Sequence, residues 1–440
     1  MNFSHLPTSR RAFLGMAAGS GLALAAGTGS TPVQAAKTQT SAKIVILGAG
    51  AGGASIANRL VDRLQGAHIT IVDGRPQHWY QPGFTLIAAG LKPAGYSISS
   101  TEQWLPSGIN YINEYAAEVD PDAQRVTTTG GTRLEYDYLI VATGLVLDWD
   151  AIDGFSLNQV GQNGLGAVYA GPEYAATTWR ALDDFASRGG RAVFMRPTTD
   201  MKCAGAPIKY TFLTDDHLRR KGTRDASEVV YTTPGQALFS VPIVTEKLEL
   251  IMRRQEVDVR RHHVLKAIDT SARIATFATP EGDVTLEYDF TNVVPPQRAP
   301  QVIRDSGLSW ADRWTDQGWI EVDMATLRHK RYPNVFGIGD INGVPKGKTA
   351  ASVKWHLPVV EDHLVSELGG REGTRTFNGY TSCPLITRVG RAMLIEFDYH
   401  DNLVRSFPGL VAPLEELWIS WLMKEVALKA TYNAMLRGRA

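Results

Sequence analysis

The segment KIVILGAGAGGASIANRLVDRLQGAHITIVDG, beginning at Lys43, constrains the fold more than any other stretch of the chain. Lys43 to Leu47 read as a short buried strand, Gly48, Gly50 and Gly53 give G-x-G-x-x-G with Gly52 between, and Ala54 to Leu64 carry helical apolar spacing. A second strand, Ile69 to Val72, ends at Asp73, 20 residues after Gly53. The glycines allow a tight turn and the close approach of a pyrophosphate to a helix N-terminus. The acid is placed to accept the hydroxyls of a ribose. Strand, glycines, helix, strand and acid in that register predict a dinucleotide-binding α/β unit.

Two later segments choose between dinucleotides. EYDYLIVATGLVLDW ends a strand at Thr143 and Gly144, and YPNVFGIGDI ends one at Gly339 and Asp340. Both are similar to the accessory motifs of flavoproteins with two dinucleotide domains, in which the aspartate holds the ribityl chain, so the cofactor expected is FAD. The first fingerprint and Asp340 lie far apart in sequence, which predicts an FAD domain split into 37–160 and 289–375. The insert, 161–288, reads as a second Rossmann-like domain. Its strand at Val193 to Met195 runs into Arg196-Pro197-Thr198, where a nicotinamide site would need glycines. Proline lacks an N–H and fixes φ, so this turn is a poor phosphate cradle. The expectation is that the insert keeps its fold without binding nicotinamide.

Arg10 and Arg11, a Gly- and Ala-rich run and a small-residue site near Val33-Gln34-Ala35 read as a twin-arginine export signal over 1–36. That predicts a periplasmic protein. Lys plus Arg and Asp plus Glu balance at 45 each, which argues against a nucleic-acid partner. No spacing suggests a metal site. The two cysteines, Cys203 in TDMKCAGAPIKY and Cys383 in GYTSCPLITRVGR, are too few for a disulfide scaffold. Spacing leaves two readings open. One is a structural bridge worth roughly 5 kcal/mol by chain entropy. The other is a redox pair that accepts a sulfur nucleophile.

The local sequences bear on that choice. KCAGAPIKY, GYTSCPLIT with IEFDY, WYQPGFTLIAAG, RYPNVFGIGD followed by KGKTAA, and the C-terminal LMK and MLRG resemble the sulfide:quinone oxidoreductases, particularly the group containing the mitochondrial enzyme. The likeness spans roughly residues 43 to 438. It implies that Cys203 and Cys383 are the redox-active pair, with Cys203 the thiolate beside the flavin and Cys383 the sulfur acceptor released as persulfide. It implies FAD contacts at Gly48, Gly50, Gly53, Asp73, Gln81, Val119, Asp340 and Lys348. Gly52, Thr143, Gly144, Gly339 and Thr349 fall in the same motifs. Many members carry a third cysteine that this chain lacks, and the mitochondrial-like group works with two. The substrates implied are sulfide and a membrane quinone, with an unidentified acceptor for the sulfane sulfur. Lys348 is placed to stabilise negative charge on the reduced flavin.

A quinone reductase needs membrane contact, and 376–440 supplies a candidate. Leu414, Leu417, Trp418, Trp421, Leu422, Leu428, Tyr432, Met435 and Leu436 recur at helical spacing, with Lys424, Lys429, Arg437 and Arg439 adding positive charge. The run is too interrupted to span a bilayer. Phe397 and Tyr432 are candidate walls for the quinone ring, and His356 is either a core residue or a proton carrier. The expectation is an exported FAD enzyme that oxidises sulfide and reduces quinone, a homo-oligomer being left open. The rivals are a sulfide dehydrogenase subunit that feeds a cytochrome, an NADH:quinone reductase, and a non-catalytic flavoprotein.

Overall fold

The computed structural model describes residues 37–439; the twin-arginine segment expected over 1–36 lies outside them. Residues from Thr38 onward form one compact unit. It opens with β1 (Lys43–Leu47), α1 (Ala51–Arg63), β2 (His68–Val72), β3 (Asn110–Ile112) and β4 (Tyr138–Val141). A second series follows: β5 (Gly190–Met195), α2 (Ala206–Lys221), β6 (Ser227–Thr233), β7 (Val257–Arg261) and β8 (Phe290–Asn292). The chain then supplies β9 (Val335–Gly337), α3 (Ala350–Leu368) and a hairpin of β10 (Thr381–Arg388) and β11 (Arg391–Phe397).

Two five-stranded parallel sheets organise these elements. The first has the order β9-β4-β1-β2-β3, so β9 returns, nearly two hundred residues after β4, to lie beside it. The second runs from Leu165–Gly166 through β8, β5 and β6 to β7. Continuous apolar runs such as KIVIL suit strands covered on both faces. The chain is thus α/β with two Rossmann-like sheets, as expected. Each sheet is interrupted in sequence by a three-stranded antiparallel meander, Ala116–Asp120 to Arg133–Glu135 before β4 in one case and Val264–Asp269 to Gly282–Glu287 before β8 in the other.

Helix α2 lies between the second sheet and the hairpin. Ile208, Tyr210 and Phe212 join one apolar cluster with Phe194 and Tyr231 of the sheet and Cys383, Leu385 and Ile395 of the hairpin. Burial on nearly every side explains why α2 lacks a clean polar stripe.

The C-terminal helix, Trp418–Leu422 continuing through a π-helical turn into Leu428–Leu436, departs from expectation. Trp421, Tyr432, Met435 and Leu436 are buried, and the last three join the core beside α1. Asn58 of α1 donates to the Leu436 carbonyl at 3.0 Å. Part of the apolar face assigned to the membrane is therefore spent on the protein's own core. Trp418 and Val426 remain exposed, as do Phe407 and Leu410 just upstream. Among the described residues no helix is long and apolar enough to cross a membrane.

Candidate active site

The end of β1 forms a cradle. Gly48 has φ +96°, and a Cβ there would meet the Ala142 carbonyl oxygen at 2.5 Å. At Gly53 a Cβ would sit 1.7 Å from the Gly48 carbonyl oxygen, so only glycine lets α1 pack this close to the turn. Gly52 faces Ile338, where a Cβ would lie 2.7 Å from the nearest methyl. Gly50 differs: the nearest atom to a Cβ is 3.9 Å away, so its backbone faces open space. Gly144, at φ +68°, has nothing within 4 Å. Asp73 is buried, accepting from the Ala49 N–H at 2.7 Å and the Arg75 N–H at 2.8 Å, which locks β2 to the turn.

Around that space, Thr143 Oγ1 and Gln81 Oε1 are buried with no hydrogen-bond partner among the described residues. Asp340 is raised above the usual carboxylate range by burial, with Lys348 and Lys202 the cations facing it. Open backbone at two glycines, orphaned polar atoms and a half-buried acid just beyond β9 fit FAD, whose pyrophosphate and hydroxyls need such donors and acceptors.

The cysteines come together beside this region. Cys203 precedes α2 in a turn with φ +49°, a conformation rare for residues other than glycine. Three contacts hold it. Its N–H donates to the Lys348 carbonyl at 2.9 Å, and its carbonyl accepts from the Ala206 N–H at 2.7 Å and the Tyr169 hydroxyl at 3.2 Å. Cys383 is buried on β10. A Cβ at Gly205 would lie 2.6 Å from Cys383 Sγ, so the hairpin sulfur reaches the Cys203 turn only because residue 205 has no side chain. Both cysteines are free thiols.

Two buried lysines set the charge. Lys209, one turn into α2, donates from Nζ to Cys203 Sγ at 3.2 Å. A hydrogen bond from Cys383 pulls the Cys203 thiol well below its ordinary value, with Lys209 and Lys424 lowering it further. Cys383 is pushed well above its own by the Cys203 sulfur and by burial. The Lys209 ammonium against Cys203 Sγ favours negative charge on that sulfur over Cys383. Burial works against the Lys209 ammonium, but the two sulfurs outweigh it and raise its pKa. Lys424 donates to the Pro82 carbonyl at 2.7 Å and is brought down to about 7 by burial and by Lys209.

Several expected residues take other places. Lys348 is buried, donating to the Asp340 and Asn342 carbonyls at 2.7 and 2.9 Å and lying 3.7 Å above the Trp319 ring. Burial lowers it to about 8. Thr349 caps α3 by accepting from the Ser352 N–H, which occupies its side chain. Val119 packs in the core with Val72 and Val126 and offers only its main chain. His356 is a core residue, accepting from the Gly339 N–H at 3.1 Å and pushed down to about 3 by burial. Phe397 packs on Phe239, and Tyr432 on Tyr80 and His78, so the two rings sit in separate clusters and do not pair. Lys209, Gly205 and Tyr169 were not singled out from sequence, and Lys424 was read as surface charge. The available signal was one lysine in an otherwise apolar stretch of α2.

This fold and cradle define a flavoprotein of the pyridine nucleotide-disulphide oxidoreductase class, whose family description matches residues 42–163. The mitochondrial sulfide:quinone oxidoreductase of Mus musculus is 34% identical over 404 residues, covering 90% of this chain and 86% of its own. That of Dictyostelium discoideum is also 34% identical, covering 92% and 88%. The sulfide:quinone oxidoreductase structure from Aquifex aeolicus superposes with a TM-score of 0.76 at 20% identity, covering 90% of this chain and 92% of that one. The chain belongs to the sulfide:quinone oxidoreductase family and is an FAD-dependent enzyme of that type.

The same relatives correct the expected compartment. Both are named as mitochondrial, which points to a mitochondrial protein and away from twin-arginine export to the periplasm. The misreading has a compositional cause. Residues 1–36 hold arginines, serines and threonines and no acid, a composition that organelle transit peptides share.

Proposed function

We propose that Cys203 and Cys383 carry the oxidation of sulfide. In the oxidised pair the two sulfurs are joined. Hydrosulfide attacks Cys383 Sγ, forming a persulfide there and breaking the bond to Cys203. The bonding pair of electrons leaves on Cys203 as a thiolate, which the Lys209 ammonium stabilises. A nucleophilic acceptor then takes the outer sulfur of the persulfide and leaves the Cys383 thiolate. The two thiolates rejoin as two electrons depart. FAD, when bound, would supply the two-electron acceptor for that step, with quinone as the final acceptor.

The observation that carries this reading is the Lys209–Cys203 hydrogen bond at 3.2 Å beside the buried Cys383. The Cys203 N–H bond to Lys348 supports its place on the cofactor side, because Lys348 also braces the Asp340 turn. Gly48, Gly50, Gly52, Gly53, Asp73, Gln81, Thr143, Gly144, Gly339 and Asp340 would hold FAD, with Lys348 and Thr349 fixing the loop below it. The reading divides the chain into a split FAD domain, 37–160 with 289–375, an insert at 161–288 and a C-terminal segment from 376. The exposed Phe407, Leu410, Trp418 and Val426 make peripheral contact with the membrane that holds the quinone. Anaerobic addition of sulfide to the FAD-loaded chain tests the first step. The flavin band bleaches in the wild type and stays unchanged when either cysteine is replaced by serine; bleaching in both serine variants would refute it.

A further inference from the structure

The Arg196-Pro197 turn has no task in the scheme above. Phe194 pairs with Tyr231 and Met195 with Thr232, so Arg196 and Thr233 leave the second sheet side by side. Alternation along the strands puts Arg196, Tyr231 and Thr233 on one face, the face whose apolar cluster holds Cys383, Leu238 and Phe239. Three buried polar atoms on that face have no hydrogen-bond partner among the described residues: Arg196 Nε, Tyr231 OH and Thr233 Oγ1. The rest of the Arg196 guanidinium makes one long bond, from Nη1 to the Leu238 carbonyl at 3.4 Å. Its charge acts on the Asp200 carboxyl, which burial raises and Lys348 and Arg196 lower. Tyr169 joins the corner to the redox pair, because its hydroxyl is influenced by Cys203, Tyr231, Cys383 and Arg196 together.

A buried polar group needs a hydrogen-bond partner, and these three side chains present their free donors on one face. We propose that Arg196, Tyr231 and Thr233 form a subsite for a small anionic sulfur nucleophile beside Cys383. A guanidinium fork and two hydroxyls match a compact anion, and they supply by side chains what the glycine turn supplies by backbone N–H groups in the first sheet. Hydrosulfide on its way to Cys383 and an anionic acceptor of the sulfane sulfur share this chemistry. The proposal rests on the cysteine reading.

The experiment uses the full FAD-loaded chain with sulfide as donor and sulfite as acceptor. Sulfide bleaching of the wild-type flavin comes first: its failure would sink the cysteine reading and the subsite with it, whereas bleaching with unchanged KM values in the variants would sink the subsite alone. Arg196→Gln then raises the KM of at least one of the two anions about tenfold, the loss of a charged hydrogen bond. Tyr231→Phe raises the same KM several-fold, with flavin content and two titratable thiols per chain retained in both. A shift confined to sulfide assigns the subsite to substrate entry, and one confined to sulfite assigns it to sulfur departure; either supports the proposal. Unchanged KM values for both anions in both variants would overturn it, as would a higher melting temperature for Tyr231→Phe with no change in KM.

Discussion

The first sheet passes from β1 to α1 through three residues, Gly48 to Gly50, while the second passes from β5 to α2 through ten, residues 196 to 205. In the first, the short glycine turn brings the helix N-terminus and bare backbone amides to the strand end, as a pyrophosphate requires. In the second, arginine and proline open a detour. Its length moves the start of α2 away from the strand end and makes room for Cys203 in a left-handed turn. Lys209 then reaches back over that sulfur from the first turn of α2. One wiring plan thus yields a cofactor cradle in one half and a sulfur site in the other, according to the residues at a single crossing.

That contrast can be broken most sharply at the sulfurs. Cys203→Ser or Cys383→Ser lowers sulfide-dependent quinone reduction by at least about a thousandfold, as loss of a nucleophile does. Bound FAD, read from its absorbance, stays at the wild-type level. The reverse change is Gly48→Ala, which forces φ +96° on a side chain and a clash with the Ala142 carbonyl. It costs about 2–4 kcal/mol of stability and releases flavin, measured by denaturation and flavin content, while both thiols still titrate.

Charge comes next. Lys209→Met removes the cation on the Cys203 thiolate, so the thiol pKa rises and the alkylation rate of Cys203 reaches its plateau at higher pH than in the wild type. Turnover near neutral pH falls about tenfold or more. An unshifted alkylation profile would remove Lys209 from the account. Gly205→Ala places a methyl 2.6 Å from Cys383 Sγ and slows sulfide oxidation several-fold without loss of flavin. The smallest effect is Thr349→Ala, which removes the α3 cap and costs about 1 kcal/mol in a denaturant titration.

Much of the first half was legible because its constraints are local. Strand, glycines, helix and acid occupy one segment, and Gly48, Gly52 and Gly53 are each explained by an atom in or beside the turn. The pairing of Cys203 with Cys383 was legible only through resemblance, since nothing in their spacing brings a hairpin onto the N-terminus of α2. Lys209 escaped notice because α2 is covered on nearly all sides, which erases the periodicity that marks a buried polar residue as unusual. Lys424 and Tyr432 were misplaced for a related reason. An amphipathic helix shows which face is apolar, but not whether a membrane or the protein's own α1 covers it. The leader was misread because basic, acid-free segments serve more than one export or import route.

The central claim is that one pair of sulfurs receives the electrons of sulfide before any other group does. The most direct test is an anaerobic titration of the FAD-loaded chain with sulfide, followed by a short-chain quinone, with the flavin absorbance recorded throughout. The account predicts bleaching at about two sulfides per flavin, the second taking the outer sulfur from Cys383, and full recovery on adding quinone, with neither change in Cys383→Ser. A flavin that bleaches equally in Cys383→Ser, or that sulfide leaves untouched in the wild type, would contradict it.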